Sequence, residues 1–177
     1  MAHNPPPAPP TISHLALLLE EIPIPHVQGP ATKATGHQLQ IEERTLIIAI
    51  MRAGESLAYG IHNVFAKARF QHANEPADIT RNHIEGCVTV FLVDAVTNSG
   101  ETISEFVRFI RDLNAAVRVV IVAGFVQEGV ASGRSSLRML AREVEITIVA
   151  LRLSSNKYQG LRGTDTGNRL FNTVHLP

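Results

Sequence analysis

The chain has 177 residues, enough to bury one core and short for two. Lysine plus arginine number 16 and aspartate plus glutamate also 16, so no overall field draws the protein onto nucleic acid or an anionic membrane, and any anion binding has to be local. The single cysteine, Cys87, excludes a disulfide framework and a cysteine-based zinc site, and fits a reducing compartment.

The chain opens on "PPPAPP", which holds half of its ten prolines and cannot pack a core, so residues 1–11 are read as a linker or disordered end and 12–177 as one domain. "TISHLALLLEEIP" then sets Ile12, Leu15, Leu18 and Leu19 at helical spacing, which predicts a short helix stopped by Pro23 and Pro25. From there to Ile41 no period is sustained, and the segment reads as loop with one extended piece.

Beyond Ile41 the pattern becomes rhythmic. Apolar, β-branched runs occur at 45–51, 87–93, 117–126 and 145–151, each short enough for a strand and too continuous for a strand with one wet face. Amphipathic stretches separate them. Residues 55–67 put Leu57, Ile61 and Val64 inward; "ETISEFVRFIRDLN" does so with Ile103, Phe106, Val107, Ile110 and Leu113; "SSLRMLAREV" does so with Leu137, Leu140 and Val144. This alternation predicts an α/β fold, an open and mainly parallel sheet flanked by helices, with right-handed crossovers.

Ligands of such sheets bind beyond the carboxyl ends of the strands, where loops meet helix N-termini and their unpaired N–H groups. Those loops are "MRAGES", "DAVTNSGET", "FVQEGVASG" and "SSNKYQGLRGTDTGNR". In the second, Asn98, Ser99, Gly100, Glu101 and Thr102 can wrap amides and hydroxyls around a phosphate, and Asp94 can accept hydrogen bonds from sugar hydroxyls beside it. An acid next to an anion cradle suggests a ribose phosphate. No GxGxxG and no GK[ST] loop ending occur, which disfavours a dinucleotide binder or a Walker-type triphosphatase. Eight histidines are scattered without HExxH or other ligand spacing.

Read in order, "IMRAGESLAYGI", "LVDAVTNSGETI", "VAGFVQEGV" and "GTDTGNRLFNT" resemble the blocks of the uracil phosphoribosyltransferases, with the type I phosphoribosyltransferase fold, over roughly residues 45–175. The resemblance implies transfer of phosphoribosyl from phosphoribosyl diphosphate (PRPP) to uracil, giving UMP and diphosphate, with Mg²⁺ bound alongside PRPP. It implies that Arg52, Ala53 and Gly54 hold the diphosphate, in a loop where a strained or cis peptide is expected. Asp94 would meet the ribose hydroxyls, and Ser99, Gly100 and Thr102 the 5′-phosphate. Glu128 and Gly129 match the family's "EG" after the third strand. Tyr158 begins the uracil loop, which continues through Gly163 and Thr164, while Asp165, Gly167 and Arg169 fall on the "GDAGDR" block, Asp165 acting on the metal through PRPP. A homodimer or larger homo-oligomer is implied as well.

Some positions depart from the pattern. Glu101 stands where the family has a second glycine; a carboxylate about 4 Å from a phosphate costs on the order of 4 kcal/mol at an effective dielectric near 20, so it has to face solvent. Arg162 and Thr164 replace glycines of the uracil loop, Asn168 replaces the acid before Arg169, and the hairpin expected between Phe70 and Cys87 is shortened. These departures keep a second reading open, that of a catalytically degenerate domain that binds PRPP or a nucleotide and serves in regulation or interaction.

Overall fold

The computed structural model describes residues 19–25, 33–39, 41–132, 137, 146–159 and 166–173. The chain divides into two compact units, Met1–Gln40 and Ile41–Pro177. In the first, β1 (Leu19–Pro25) pairs antiparallel with β2 (Lys33–Leu39), Leu19 facing Leu39 and Pro25 facing Lys33. Leu19, expected at the end of a helix, thus begins a strand; residues 11–18 lie outside the described residues. Pro23 and Pro25 are two apart and turn the same edge of β1. A two-stranded ribbon tolerates this, because among the described residues each strand is paired along one edge only.

The second unit is built on a five-stranded sheet in the order β4-β3-β5-β6-β7, every neighbouring pair parallel. Its strands are β3 (Thr45–Ile50), β4 (Arg69–Ala73), β5 (Thr89–Thr97), β6 (Arg118–Gln127) and β7 (Ile146–Ser154). Helix α1 (Glu55–Val64) follows β3, the single turn α2 (Arg81–Ile84) precedes β5, α3 (Glu101–Leu113) follows β5 and α4 (Glu128–Ser132) follows β6; α5 (Thr166–Leu170) comes after β7. This is the open parallel α/β architecture expected from the alternation of the sequence.

Register explains the continuity of the apolar runs. Ile48 pairs with Leu92, Leu92 with Ile121 and Ile121 with Ile148, one apolar row across four strands. Alternation sends Leu46, Ile48, Ile50, Val90, Leu92, Val119 and Ile121 to the face that Ile103, Phe106, Val107 and Ile110 of α3 cover. On the other face Phe65, just past α1, stacks on Phe91 at 5.8 Å between centroids. Both faces of the central strands are dry, so no residue of β3 escapes burial. Burial of a side chain such as Phe106 stabilises by roughly 1.5–3 kcal/mol.

Three details differ from the expectation. Val64 is 71% exposed, because it is the last residue of α1, where the helix runs out over solvent. Strand β5 does not end at Val93 but continues to Thr97, so Asp94 lies within the strand. The strand β4 was not anticipated. Of the helix expected near Leu137, Leu140 and Val144, only Leu137 is described, and it is buried.

Candidate functional site

Because all five strands are parallel, the segments after β3, β5, β6 and β7 open on one edge of the sheet. The segment after β5 is built most closely to expectation. Gly100 caps α3 with φ +77°, the left-handed region that favours glycine, and a Cβ on it would sit 3.0 Å from Val130 Cγ1 and 3.1 Å from Leu137 Cβ. Conformation and packing therefore both ask for glycine. Its carbonyl accepts from the Ser104 amide at 2.9 Å and from the buried Ser104 hydroxyl at 2.6 Å, which fixes the first turn.

Asp94, Val96, Thr97, Asn98, Ser99, Gly100, Thr102 and Ile103 line a cavity of about 150 Å³ at this helix start. The Glu101 amide donates to Ser99 Oγ at 3.3 Å. Among the described residues no partner is seen for the amides of Ser99, Gly100 and Thr102, so they remain available to an anion. Glu101 is exposed, as a carboxylate beside such an anion must be. Asp94 is partly buried, and its Oδ1 accepts a long bond of 3.4 Å from the Val96 amide.

After β3 the Met51–Arg52 peptide is cis, the geometry expected in this loop. Gly54 is fully enclosed and gives its amide to Ile50 O at 2.9 Å, so it serves the packing of the loop; its amide is not offered to a ligand. Strand β4 steadies the same loop from the side, with the Met51 amide on Ala73 O at 2.9 Å and His72 Nε2 against Glu55 Oε1 at 2.9 Å.

Cross-loop bonds join segments far apart in sequence. Arg52 Nη2 donates to Asn168 Oδ1 of α5. Arg169 Nη1 donates to the Tyr158 hydroxyl at 3.0 Å, and the Tyr158 ring leans on Phe125 with centroids 5.4 Å apart. Asn98 is linked to the Tyr158 main chain by two bonds, of 2.8 and 3.1 Å. Among the described residues the ion pair is Lys67 with Glu43, and the side-chain partners of Arg52 and Arg169 are the neutral Asn168 and Tyr158.

Glu128 and Gly129 start α4 and are exposed, and Gly167 is buried in α5. Ala53 is partly buried between Arg52 and Gly54. Arg162, Gly163, Thr164 and Asp165 lie outside the described residues. Phe125 and Thr97 were not singled out in the sequence; the polar Thr97 inside an apolar strand was the available signal. Between Phe70 and Cys87 the chain completes β4, makes a 3₁₀ turn at Pro76–Asp78 and enters α2, so no hairpin rises there.

No group of three or more His, Cys, Asp or Glu side chains that would cage a metal occurs among the described residues. One carboxylate, Asp94, faces the cavity region. Such a donor set suits Mg²⁺ that arrives on substrate oxygens, since this ion keeps waters and takes one or two carboxylates plus phosphates.

The sheet and its helices define a type I phosphoribosyltransferase-like fold. Among solved structures it is similar to that of the AQ2163 protein from Aquifex aeolicus, with a TM-score of 0.58 and 20% identity over 89% of this chain and 77% of that one. The family model for uracil phosphoribosyltransferase matches residues 11–173, and the chain belongs to that family. No curated protein matches it. Membership supports a phosphoribosyltransferase-like function, and no described helix is long and apolar enough to cross a membrane.

Proposed function

We propose that the protein transfers the 5-phosphoribosyl group of PRPP to uracil, forming UMP and diphosphate. The observation that carries this reading is the cavity walled by Asp94 and by Asn98, Ser99, Gly100 and Thr102 at the head of α3. A terminal phosphate seated there meets the amides of Ser99, Gly100 and Thr102 and two hydroxyls, while Asp94 accepts from the ribose hydroxyls. Arg52 turns to the diphosphate, for which its neutral partner leaves it charged. The family's pattern assigns Tyr158, Gly163, Thr164, Gly167 and Arg169 to the base and Asp165 to the metal-bearing diphosphate.

In the reaction the N1 lone pair of uracil forms the bond to the anomeric carbon as that carbon's bond to the diphosphate oxygen breaks. Diphosphate departs with the electron pair, and the N1 proton passes to water. Positioning and charge stabilisation carry such a step, so no dedicated general base is required. Bound with the substrate, Mg²⁺ supplies charge neutralisation on the leaving diphosphate. The working protein is a cytoplasmic homodimer or larger homo-oligomer in this reading.

The test is conversion of radiolabelled uracil with PRPP and Mg²⁺. UMP above blank supports the proposal, and its absence at high protein concentration refutes catalysis. Thermal stabilisation by PRPP or UMP without turnover would instead identify a nucleotide-binding regulatory or interaction domain.

A further inference from the structure

The Asn98 side chain spends both ends of its amide on one residue sixty positions away. Its Nδ2 donates to Tyr158 O at 3.1 Å, and its Oδ1 accepts from the Tyr158 amide at 2.8 Å. The reciprocal pattern fixes the orientation of the amide, because the flipped rotamer would set donor against donor and oxygen against oxygen. Two parallel bonds also fix direction, which a single hydroxyl in this place would not do. The contact is partly buried and so is little weakened by competing water.

The two ends of this bridge belong to different halves of the site. Asn98 lines the cavity with Asp94, Ser99, Gly100 and Thr102, directly ahead of the Ser99 turn that receives the Glu101 amide. Tyr158 sits beyond β7, where its ring packs on Phe125 and its hydroxyl accepts from Arg169 of α5. An anion drawn to the amides at the start of α3 restrains the Asn98 backbone. With its side chain paired at both ends, Asn98 then restrains Tyr158, and through it Arg169.

We infer that Asn98 is a positioning residue that carries occupancy of the phosphate cradle to the base loop through its paired bonds to the Tyr158 main chain. The inference rests on the phosphoribosyltransferase reading of the site. It assigns the Asn98 amide to loop coupling and leaves the anion to the main chain and hydroxyls of Ser99–Thr102. By linkage the coupling is reciprocal: what orders the base loop also tightens the cradle.

Ribose 5-phosphate and UMP separate the two halves, because the first fills the cradle alone and the second reaches both. Calorimetric titrations of the full chain, its Asn98→Ala and Asn98→Asp variants are combined with hydrogen exchange over residues 154–159, and melting temperatures verify folding. In the unsubstituted chain ribose 5-phosphate slows exchange at Tyr158, although it carries no base. Asn98→Ala keeps ribose 5-phosphate affinity within about threefold, shows no slowing at Tyr158 and loses about tenfold toward UMP, the scale of one or two hydrogen bonds. Asn98→Asp likewise loses the slowing at Tyr158, since a carboxylate cannot donate to Tyr158 O, but its added charge beside the cradle weakens both ligands, so the affinity comparison is read from Asn98→Ala alone. Slowing that persists in Asn98→Ala, or equal losses toward both ligands, overturns the inference. Failure of the unsubstituted chain to bind either ligand overturns the functional reading itself, and that result appears before any variant is compared.

Discussion

Gly54 lies against the carbonyl of Val93: a Cβ at position 54 would stand 2.3 Å from Val93 O and 2.7 Å from Ile50 O. Both obstacles are backbone of central strands, so neither swings aside. Gly54→Ala is expected to destabilise the protein by about 3 kcal/mol, the upper end of the cost of overpacking. It also displaces the turn that carries Arg52. Urea denaturation reads the first effect, and a midpoint equal to that of the unsubstituted chain would show that β3 and β5 separate more easily than their register implies.

Glu101 is exposed in the first turn of α3, where an acid complements the helix N-terminus. The same carboxylate opposes an incoming phosphate through solvent. Glu101→Gln removes the charge and keeps the amide, and it is expected to tighten PRPP binding about threefold at low salt, a difference that fades near 0.5 M salt as screening shortens. Calorimetry at the two ionic strengths decides it. A gain that survives high salt would place the carboxylate in direct contact with the ligand.

The central strands β3, β5 and β6 were legible because burial on both faces demands unbroken β-branched runs, and 45–51, 87–93 and 117–126 are such runs; 145–151 reads alike yet forms the edge strand β7, which is only partly covered, with Leu151 76% exposed. Strand β4 was not, since "RFQHA" is short, polar and at the sheet edge, held by its ladder to β3 more than by burial. The leucines before β1 suggested a helical stripe, and what decides Leu19–Pro25 is pairing with Lys33–Leu39, which no local pattern announces. Ser104 interrupts the apolar face of α3 yet is fully buried, because its hydroxyl bonds back to Gly100 O. The cradle was readable as one contiguous segment. Its ties to Tyr158, and those of Arg52 to Asn168, span 60 and 116 positions and exist only once the sheet has gathered its loops.

Burial pushes the Cys87 thiol up from its ordinary value of 9.0, against the opposing pull of the Arg69 and Arg44 charges; Arg69 Nη2 also donates to its sulfur at 3.0 Å. With the folded value raised, the unfolded chain gives up its proton first as pH climbs. The contribution of Cys87 is therefore intact well below the ordinary value of 9.0 and declines as pH rises through it, until the folded thiol ionises too. Cys87→Ala is expected to lose stability at neutral pH and to show a flatter decline between about pH 8 and 10. Urea midpoints across that range, taken for both proteins, give the comparison. Parallel curves would mean that the thiol titrates alike in the folded and unfolded chain.

Thr97 closes β5 directly beneath the cradle, 3% exposed, and its buried hydroxyl has no hydrogen-bond partner among the described residues. A hydroxyl taken from water and left unpaired costs about 1–3 kcal/mol, whereas valine of nearly the same shape carries no such penalty. Thr97→Val is therefore expected to raise unfolding stability by about 1 kcal/mol, less than the full penalty because the packing around an added methyl has to adjust. The neighbouring Ser104→Ala is expected to act in the opposite sense, since that hydroxyl is bonded to Gly100 O at 2.6 Å and its loss leaves only the Ser104 amide to hold the cap. Measured side by side in urea, the two substitutions separate a hydroxyl that strains the fold from one that supports it. Destabilisation by Thr97→Val would show that the Thr97 hydroxyl has a partner in the ligand-free protein in solution.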